Sequence, residues 1–242
     1  MQVALTGARG RLGTELQSLL PGIVPLNRPD FDLTRPESVA AALDRHRPEV
    51  VVHAAAYTDV AGAEKDRAGC WRANVEGTRN LVREVLRREI ALVHISTDYV
   101  FDGERGNYTE TDVPGPVRNY YSLTKLLAEE AVRLAPRHLV IRTSFRPREW
   151  PYPTAFEDVY TGQDYVDVIA PEVALAVRHL GEIPYDTLHI VTERKSVYEL
   201  ARRRKLDVRP GSKAEAAVSL PDDISLDVTR WTELKKGWEG QG

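Results

Sequence analysis

Met1-Gln2-Val3-Ala4-Leu5-Thr6-Gly7-Ala8-Arg9-Gly10-Arg11-Leu12-Gly13 is the stretch that decides the fold. An apolar run ends in a turn with glycines at 7, 10 and 13, then passes into helical periodicity, as a strand feeding a helix in a βαβ unit does. The same alternation continues outward. Short apolar runs predict strands at 2–6, 23–27, 49–54, 91–96 and 138–143. Apolar residues three and four apart, such as Leu81, Val82, Val85 and Leu86, predict helices at 11–20, 36–46, 66–88 and 120–134. Pro36 after Thr34-Arg35 reads as a capped helix start with proline near its first position. The expectation is an α/β fold, a doubly wound Rossmann-type parallel sheet over residues 1–145.

Beyond residue 145 the texture changes. Three prolines lie between Arg146 and Pro153, which excludes regular helix or central strand there. A strand-then-helix pattern resumes from Tyr165 to Leu180, with a short strand at Leu188–Val191 and a helix at Ser196–Arg204. The tail from Gly211 is polar. Residues 146–242 are expected to form a small C-terminal substrate lobe packed on the sheet, not an independent domain.

The chain has 242 residues with 33 basic and 36 acidic side chains, a net charge of −3. That argues against a basic nucleic-acid surface. No apolar stretch approaches the ~18 residues of a membrane span, and the N-terminus lacks the cationic region of a secretory signal. One cysteine, Cys70, excludes an intrachain disulfide and suits a reducing cytoplasm. It reads as a small buried apolar group. The six histidines show no ligand spacing, so no metal is expected. Arg202-Arg203-Arg204-Lys205 reads as a solvated helix end.

The chemistry is concentrated in three places. Gly7 suits a tight turn, Gly10 lets backbone approach a pyrophosphate, and Gly13 allows close helix packing, with the helix N-terminus supplying partial positive charge. About twenty residues on, the strand tip carries Arg28 and no acid. Arg28 is therefore expected to hold the 2′-phosphate of NADP, with NAD as the alternative; Asp32 and Leu33 would meet the adenine edge. Third, Thr97 ends a strand, while Tyr121 and Lys125 lie four apart on one helix face. A neighbouring ammonium is expected to lower the phenol's pKa so that it transfers a proton near neutral pH, with Thr97 polarising a carbonyl from a second direction.

Together these residues resemble the extended short-chain dehydrogenase/reductases, in their dTDP-4-dehydrorhamnose reductase branch. The glycine turn, Val50–Val60, Asn74-Val75-Glu76-Gly77-Thr78, His94–Gly103, Tyr121 with Lys125, and Ile141-Arg142-Thr143-Ser144 carry the resemblance over about residues 1–145. Ser96-Thr97-Asp98-Tyr99-Val100-Phe101-Asp102-Gly103 is the most specific string. The resemblance implies that Thr97, Tyr121 and Lys125 are catalytic, with Tyr121 giving the proton and Lys125 holding the nicotinamide ribose. It implies that Arg11, Leu12, Ala54, Ala55 and Tyr57 line the cofactor. Val60, Tyr99 and Phe145 occupy places similar to sugar contacts, the last usually a tryptophan. Ser122 stands where glycine is usual, and the span from Phe145 to Tyr165 is short, which predicts a reduced sugar-nucleotide pocket.

The activity implied is NAD(P)H-dependent reduction of a keto group, with a nucleotide sugar as the small-molecule partner and a homodimer through helices 66–88 and 120–134. Epimerisation shares the same three residues and stays open. Dehydration lacks its Asp-Glu pair, because Tyr99 follows Asp98. A third reading is a non-catalytic NADP-binding regulatory subunit, similar to that of methionine adenosyltransferase.

Overall fold

The computed structural model describes residues 1–216 and 220–239; residues 217–219 and 240–242 of the expected lobe lie outside it. Six parallel strands form the main sheet: β1 (Val3–Thr6), β2 (Val24–Leu26), β3 (Val50–His53), β4 (Ala91–Thr97), β5 (His138–Thr143) and β6 (Thr187–His189). Their order is β6-β5-β4-β3-β1-β2. β1, β3 and β4 are buried throughout, as strands covered on both faces must be, which is why they read as unbroken apolar runs.

The helices are α1 (Arg11–Leu19), α2 (Pro36–His46), α3 (Val60–Lys65), α4 (Arg67–Trp71), α5 (Gly77–Arg88), α6 (Tyr120–Val132), α7 (Val166–Arg178), α8 (Val197–Arg202) and α9 (Thr229–Glu239). Alternate strand residues face opposite layers. Val3, Leu5, Val52 and Val93 pack with Leu16 of α1, Ile169 and Val173 of α7, and Trp231 of α9. Ala4, Val51 and Leu92 pack with Leu43 of α2, Leu81 and Val85 of α5, and Val132 of α6. The core therefore runs across residue 145, because β6, α7 and α9 come from the later part of the chain.

Three differences from the sequence expectation have local causes. The helix at 66–88 is α4 and α5 joined by a π-turn at Arg72–Glu76. α2 has proline at its first turn, but its N-cap is Arg35 and no side chain caps it; Asp32 instead accepts from Thr34 N at 2.9 Å and Thr34 Oγ1 at 2.8 Å. The polar tail holds α9, whose buried Trp231 donates to Glu172 at 2.6 Å.

The lobe is built from short paired strands. Phe145–Arg146 pairs with Asp164–Tyr165, Thr154–Phe156 with Arg209–Gly211, and Tyr160–Thr161 with Lys195–Ser196. They enclose Trp150, Ala155, Tyr165 and Leu200. The expected solvated cations are ion-paired in part. Arg203 meets Asp164 at 2.7 Å, while Arg204 meets Asp167 at 2.9 Å and lies over the Tyr165 ring. Asp164 is buried, and an unpaired carboxylate there would be costly, so the lobe draws these side chains in.

Candidate active site

The chain leaves β1 toward β2 on one side and returns to β3 on the other. The crevice at the carboxyl ends of β1 and β3 is thus a topological switch point, where open α/β sheets bind ligands. Thr6 lies opposite His53, and His53 opposite His94. β4 then runs three residues past that level and carries Thr97 over the crevice.

The glycine turn is held by close backbone approach. Gly7 has φ +70°, and a Cβ on it would fall 2.6 Å from Ala55 N. On Gly13 a Cβ would fall 2.2 Å from Gly7 O. Gly10 differs: a Cβ there would meet only Gly7 O, at 3.1 Å, so its bare face opens to the cleft. Among the described residues no side chain caps the N-terminus of α1, which leaves its first N–H groups open to an anion. These features fit a dinucleotide pyrophosphate held by Gly7, Gly10, Arg11, Leu12 and Gly13.

Beneath the turn, His53 fixes the end of β3. Thr78 Oγ1 donates to Asn74 O at 2.6 Å, so it accepts from His53 Nε2 at 3.0 Å. His53 Nδ1 then accepts from Thr6 Oγ1 at 2.8 Å, and Thr6 Oγ1 in turn accepts from Ala55 N at 3.2 Å. Burial, reinforced by the Lys125 charge, pushes the His53 pKa down to about 3, so the ring is neutral. Asn74 accepts from Tyr57 N at 2.7 Å and donates to Thr124 at 3.0 Å, tying the loop after β3 to α6. Asn74 is a positioning residue that sequence reasoning quoted without a role; the π-turn that aims it has no sequence signature. Cys70 is buried as expected, 3.4 Å from Thr124 Oγ1.

On the other wall, Asn119 caps α6 by accepting from Ser122 N at 2.8 Å. Tyr121 and Lys125 follow on one face, both buried. Lys125 Nζ donates to Ile95 O at 2.7 Å and to His94 Nε2 at 3.2 Å, leaving one N–H uncommitted. Burial lowers its pKa to about 8, while Glu129, one turn on, pushes it back up. Glu129 is held by Arg142 Nη2 at 2.9 Å and Ser96 Oγ at 2.5 Å, all three buried.

The phenol departs from expectation. Burial pushes the Tyr121 pKa up, with the Asp98 charge adding to the rise and a hydrogen bond with Thr97 opposing it. The Lys125 ammonium is turned to Ile95 and His94. A raised pKa keeps the phenol protonated at neutral pH.

One cleft of about 690 Å³ brings these parts together: Gly7, Gly10, Arg11, Leu12, Gly13, Ala54 and Ala55 at one end, Thr97, Tyr121 and Lys125 at the other, with Val60, Tyr99 and Phe145 on the rim. Val60 lies on α3, a helix the sequence pattern did not reveal. A second cavity of about 410 Å³ shares Gly7, Arg9, Gly10 and Ala55 and adds Arg28, Asp32, Leu33 and Tyr57. A third, of about 450 Å³, shares Tyr99, Ser144 and Gln163 and reaches Arg146, Trp150 and Phe156 in the lobe. Ser144, Arg146, Trp150 and Gln163 were not foreseen as site residues; they come together only through lobe packing. Among the described residues no cluster could hold a metal ion, and no helix is long and apolar enough to cross a membrane.

A parallel sheet with a glycine turn at its switch point, and with Thr97 on β4 facing Tyr121 and Lys125 on α6, defines an extended short-chain dehydrogenase/reductase. Residues 1–170 match the RmlD substrate binding domain family, and the chain belongs to that family. It is 45% identical over 136 residues to a dTDP-4-dehydrorhamnose reductase of Burkholderia thailandensis, covering 54% of this chain and 45% of that protein. With the Mycobacterium tuberculosis protein of the same name it shares 37% over 188 residues, covering 74% and 57%. The chain thus spans about half the length of the curated relatives it matches. Among solved structures, a hypothetical dTDP-4-dehydrorhamnose reductase from Sulfolobus tokodaii superposes with TM-score 0.83 and 33% identity, covering 97% of this chain and 94% of that one. The Bacillus anthracis reductase in complex with NADP gives 0.83 and 28%, covering 97% and 92%. A UDP-Glc/GlcNAc 4-epimerase from Campylobacter jejuni, at 19% identity and TM-score 0.80 over 96% and 92% of the two chains, shares the fold.

Proposed function

We propose that this chain is an NADPH-dependent reductase of the keto group of a 4-keto sugar nucleotide. The observation that carries this reading is the single cleft with a glycine turn at one end and Thr97, Tyr121 and Lys125 at the other. The names of the relatives support it, as does the NADP held by the Bacillus anthracis protein. When bound, the dinucleotide supplies the hydride. Tyr121 donates its phenolic proton to the keto oxygen, Thr97 shares that oxygen, and the free N–H of Lys125 holds the nicotinamide ribose.

NADP is preferred on this reading because Arg9 and Arg28 line the adenosine-side cavity, and Asp32, the one carboxylate among its described lining residues, is bonded to Thr34 and faces Arg28 at 3.4 Å. Val60, Tyr99 and Phe145 would meet the sugar. The lobe cavity would take the nucleotide end, with Arg146 for its phosphates. The groove between α5 and α6, lined by Val82, Leu127 and Ala131 with Leu86 and Leu134 exposed, is the proposed homodimer face. An unpaired buried cysteine suits the cytoplasm.

The test is NADPH oxidation by the purified chain against a panel of 4-keto sugar nucleotides. Turnover is expected, and Tyr121→Phe is expected to lower kcat by about 10²–10⁴ with NADPH affinity unchanged. NADPH binding without reduction of any keto sugar would overturn the reductase reading in favour of a regulatory one.

A further inference from the structure

Asp98 is a carboxylate that the proposed chemistry leaves unused, although it sits at the wall between the catalytic cleft and the lobe cavity. It is buried, with 3% of its surface exposed. Thr97 Oγ1 donates to Asp98 Oδ1 at 3.0 Å and accepts from Tyr99 N at 3.2 Å. A hydroxyl has one hydrogen and two lone pairs. With Asp98 ionised, the hydrogen goes to Asp98 and one lone pair takes Tyr99 N–H. Thr97 then has no hydrogen left to direct at a substrate oxygen.

We infer that Asp98 is a positioning residue that sets the donor direction of the Thr97 hydroxyl, releasing it toward the keto oxygen when Asp98 carries a proton. A neutral Asp98 donates to Thr97 Oγ1 and fills its remaining lone pair. The Thr97 hydrogen is then free for the substrate. No proton is consumed by this reorientation; Tyr121 still gives the proton that ends on the product hydroxyl. The inference rests on the proposed reductase reading.

The surroundings place the switch in a useful range. Burial pushes the Asp98 pKa up to about 6, against hydrogen bonds from Thr97, Ser144 and backbone N–H groups that favour the ionised form. Tyr99 and Tyr121 are the other titratable groups at the cluster. Arg146 is the charged group on the lobe side, lining the same cavity as Asp98 and donating to Gln163 Oε1 at 2.6 Å. Gln163 in turn donates to Ser144 Oγ at 2.8 Å. Lys125 is turned away to Ile95 and His94.

The experiment has two arms. In the first, kcat/KM for a 4-keto sugar nucleotide is measured from pH 5 to 9, at saturating NADPH, for wild type and for Asp98→Asn. Wild type is expected to lose about tenfold per pH unit above the Asp98 midpoint. Asp98→Asn cannot ionise, and its amide can donate to Thr97, so its profile is expected to be flat and within about threefold of the wild-type acid plateau. A slope that persists in Asp98→Asn, or a flat wild-type profile across the Asp98 midpoint, overturns the inference. In the second arm, carbon-13 NMR of aspartate-labelled protein follows the Asp98 carboxyl without any turnover. Thr97→Val removes a donor to the ionised form and is expected to raise the midpoint; an unmoved midpoint overturns the coupling. Should no keto sugar be reduced, the reductase reading fails in the first arm while the second still decides whether Asp98 and Thr97 are coupled.

Discussion

The glycine turn lines the catalytic cleft, which meets the lobe cavity at Tyr99, Ser144 and Gln163, and turn and lobe cavity are assembled differently. The turn comes from thirteen consecutive residues, and its geometry is dictated by backbone approach: Gly7 to Ala55 and Gly13 to Gly7. The lobe cavity takes Arg146 and Trp150 from one loop, Thr161 and Gln163 from another, Val197 from α8, and Leu220, Pro221 and Ile224 from near the C-terminus. Its walls are two- and three-residue strands that cannot hold themselves without one another. The comparison teaches that the cofactor end is a property of local sequence, whereas the substrate end is a property of tertiary packing. A substitution should therefore damage one end and spare the other.

The sharpest way to break this contrast is at the glycines. Gly10→Val should keep the fold, because a Cβ there meets only Gly7 O, yet its side chain fills the cleft where the pyrophosphate would lie. NADPH affinity is expected to fall by on the order of 10³-fold with little change in Tm, read by fluorescence titration and thermal melting. Gly13→Val meets backbone at 2.2 Å, so it should lower Tm as well. Equal Tm losses for both would show that the turn is one rigid unit, without the division proposed here.

At the other end, Trp150 is buried against Tyr152 and the Arg146 guanidinium, and its Nε1 has no partner among the described residues. Trp150→Ala should cost about 3–5 kcal/mol in urea unfolding, as expected of a large aromatic removed from a packed site. KM for the keto sugar should rise while the NADPH dissociation constant stays within about twofold. A matching loss of NADPH affinity would show that the lobe also supports the cofactor end.

The same contrast explains how much was legible beforehand. The strands at 2–6, 49–54 and 138–143 lie within a residue of β1, β3 and β5, because fully buried parallel strands are continuous apolar runs. Tyr121 and Lys125 were readable as a pair because a four-residue spacing puts them on one helix face, whereas the packing of α6 beside β4 brings Thr97 to them. α3 was missed because six residues are too few to show periodicity, and its cap, Asp59 accepting from Gly62 N, looks like any loop aspartate. α9 was missed because its apolar face is essentially Trp231, Leu234 and Trp238 in a polar tail. Ser144, Arg146 and Gln163 were invisible as a set. The Arg146–Gln163–Ser144 chain exists only once Phe145–Arg146 pairs with Asp164–Tyr165. The upward push on the Tyr121 pKa was likewise unreadable, since it comes first from burial and then from the Asp98 charge, neither of which helical spacing shows.

The smallest expected effect lies at the rim of the cofactor end, where local sequence meets solvent. Arg28 is largely exposed and pairs loosely with Asp32 at 3.4 Å. An exposed pair of this kind contributes little to stability, so Arg28→Ala should leave Tm unchanged. A guanidinium meeting a 2′-phosphate makes charge-assisted hydrogen bonds of about 1–2 kcal/mol, partly offset by release from Asp32. Arg28→Ala is therefore expected to weaken NADPH by about five- to thirtyfold and NADH hardly at all, with the difference shrinking as salt is raised. Equal weakening of both cofactors would assign Arg28 to the adenine wall instead. An unchanged NADPH affinity would pass the 2′-phosphate role to Arg9, which lines the same cavity and comes from the glycine turn itself. In that case cofactor selectivity as well as cofactor binding would be encoded in those first thirteen residues.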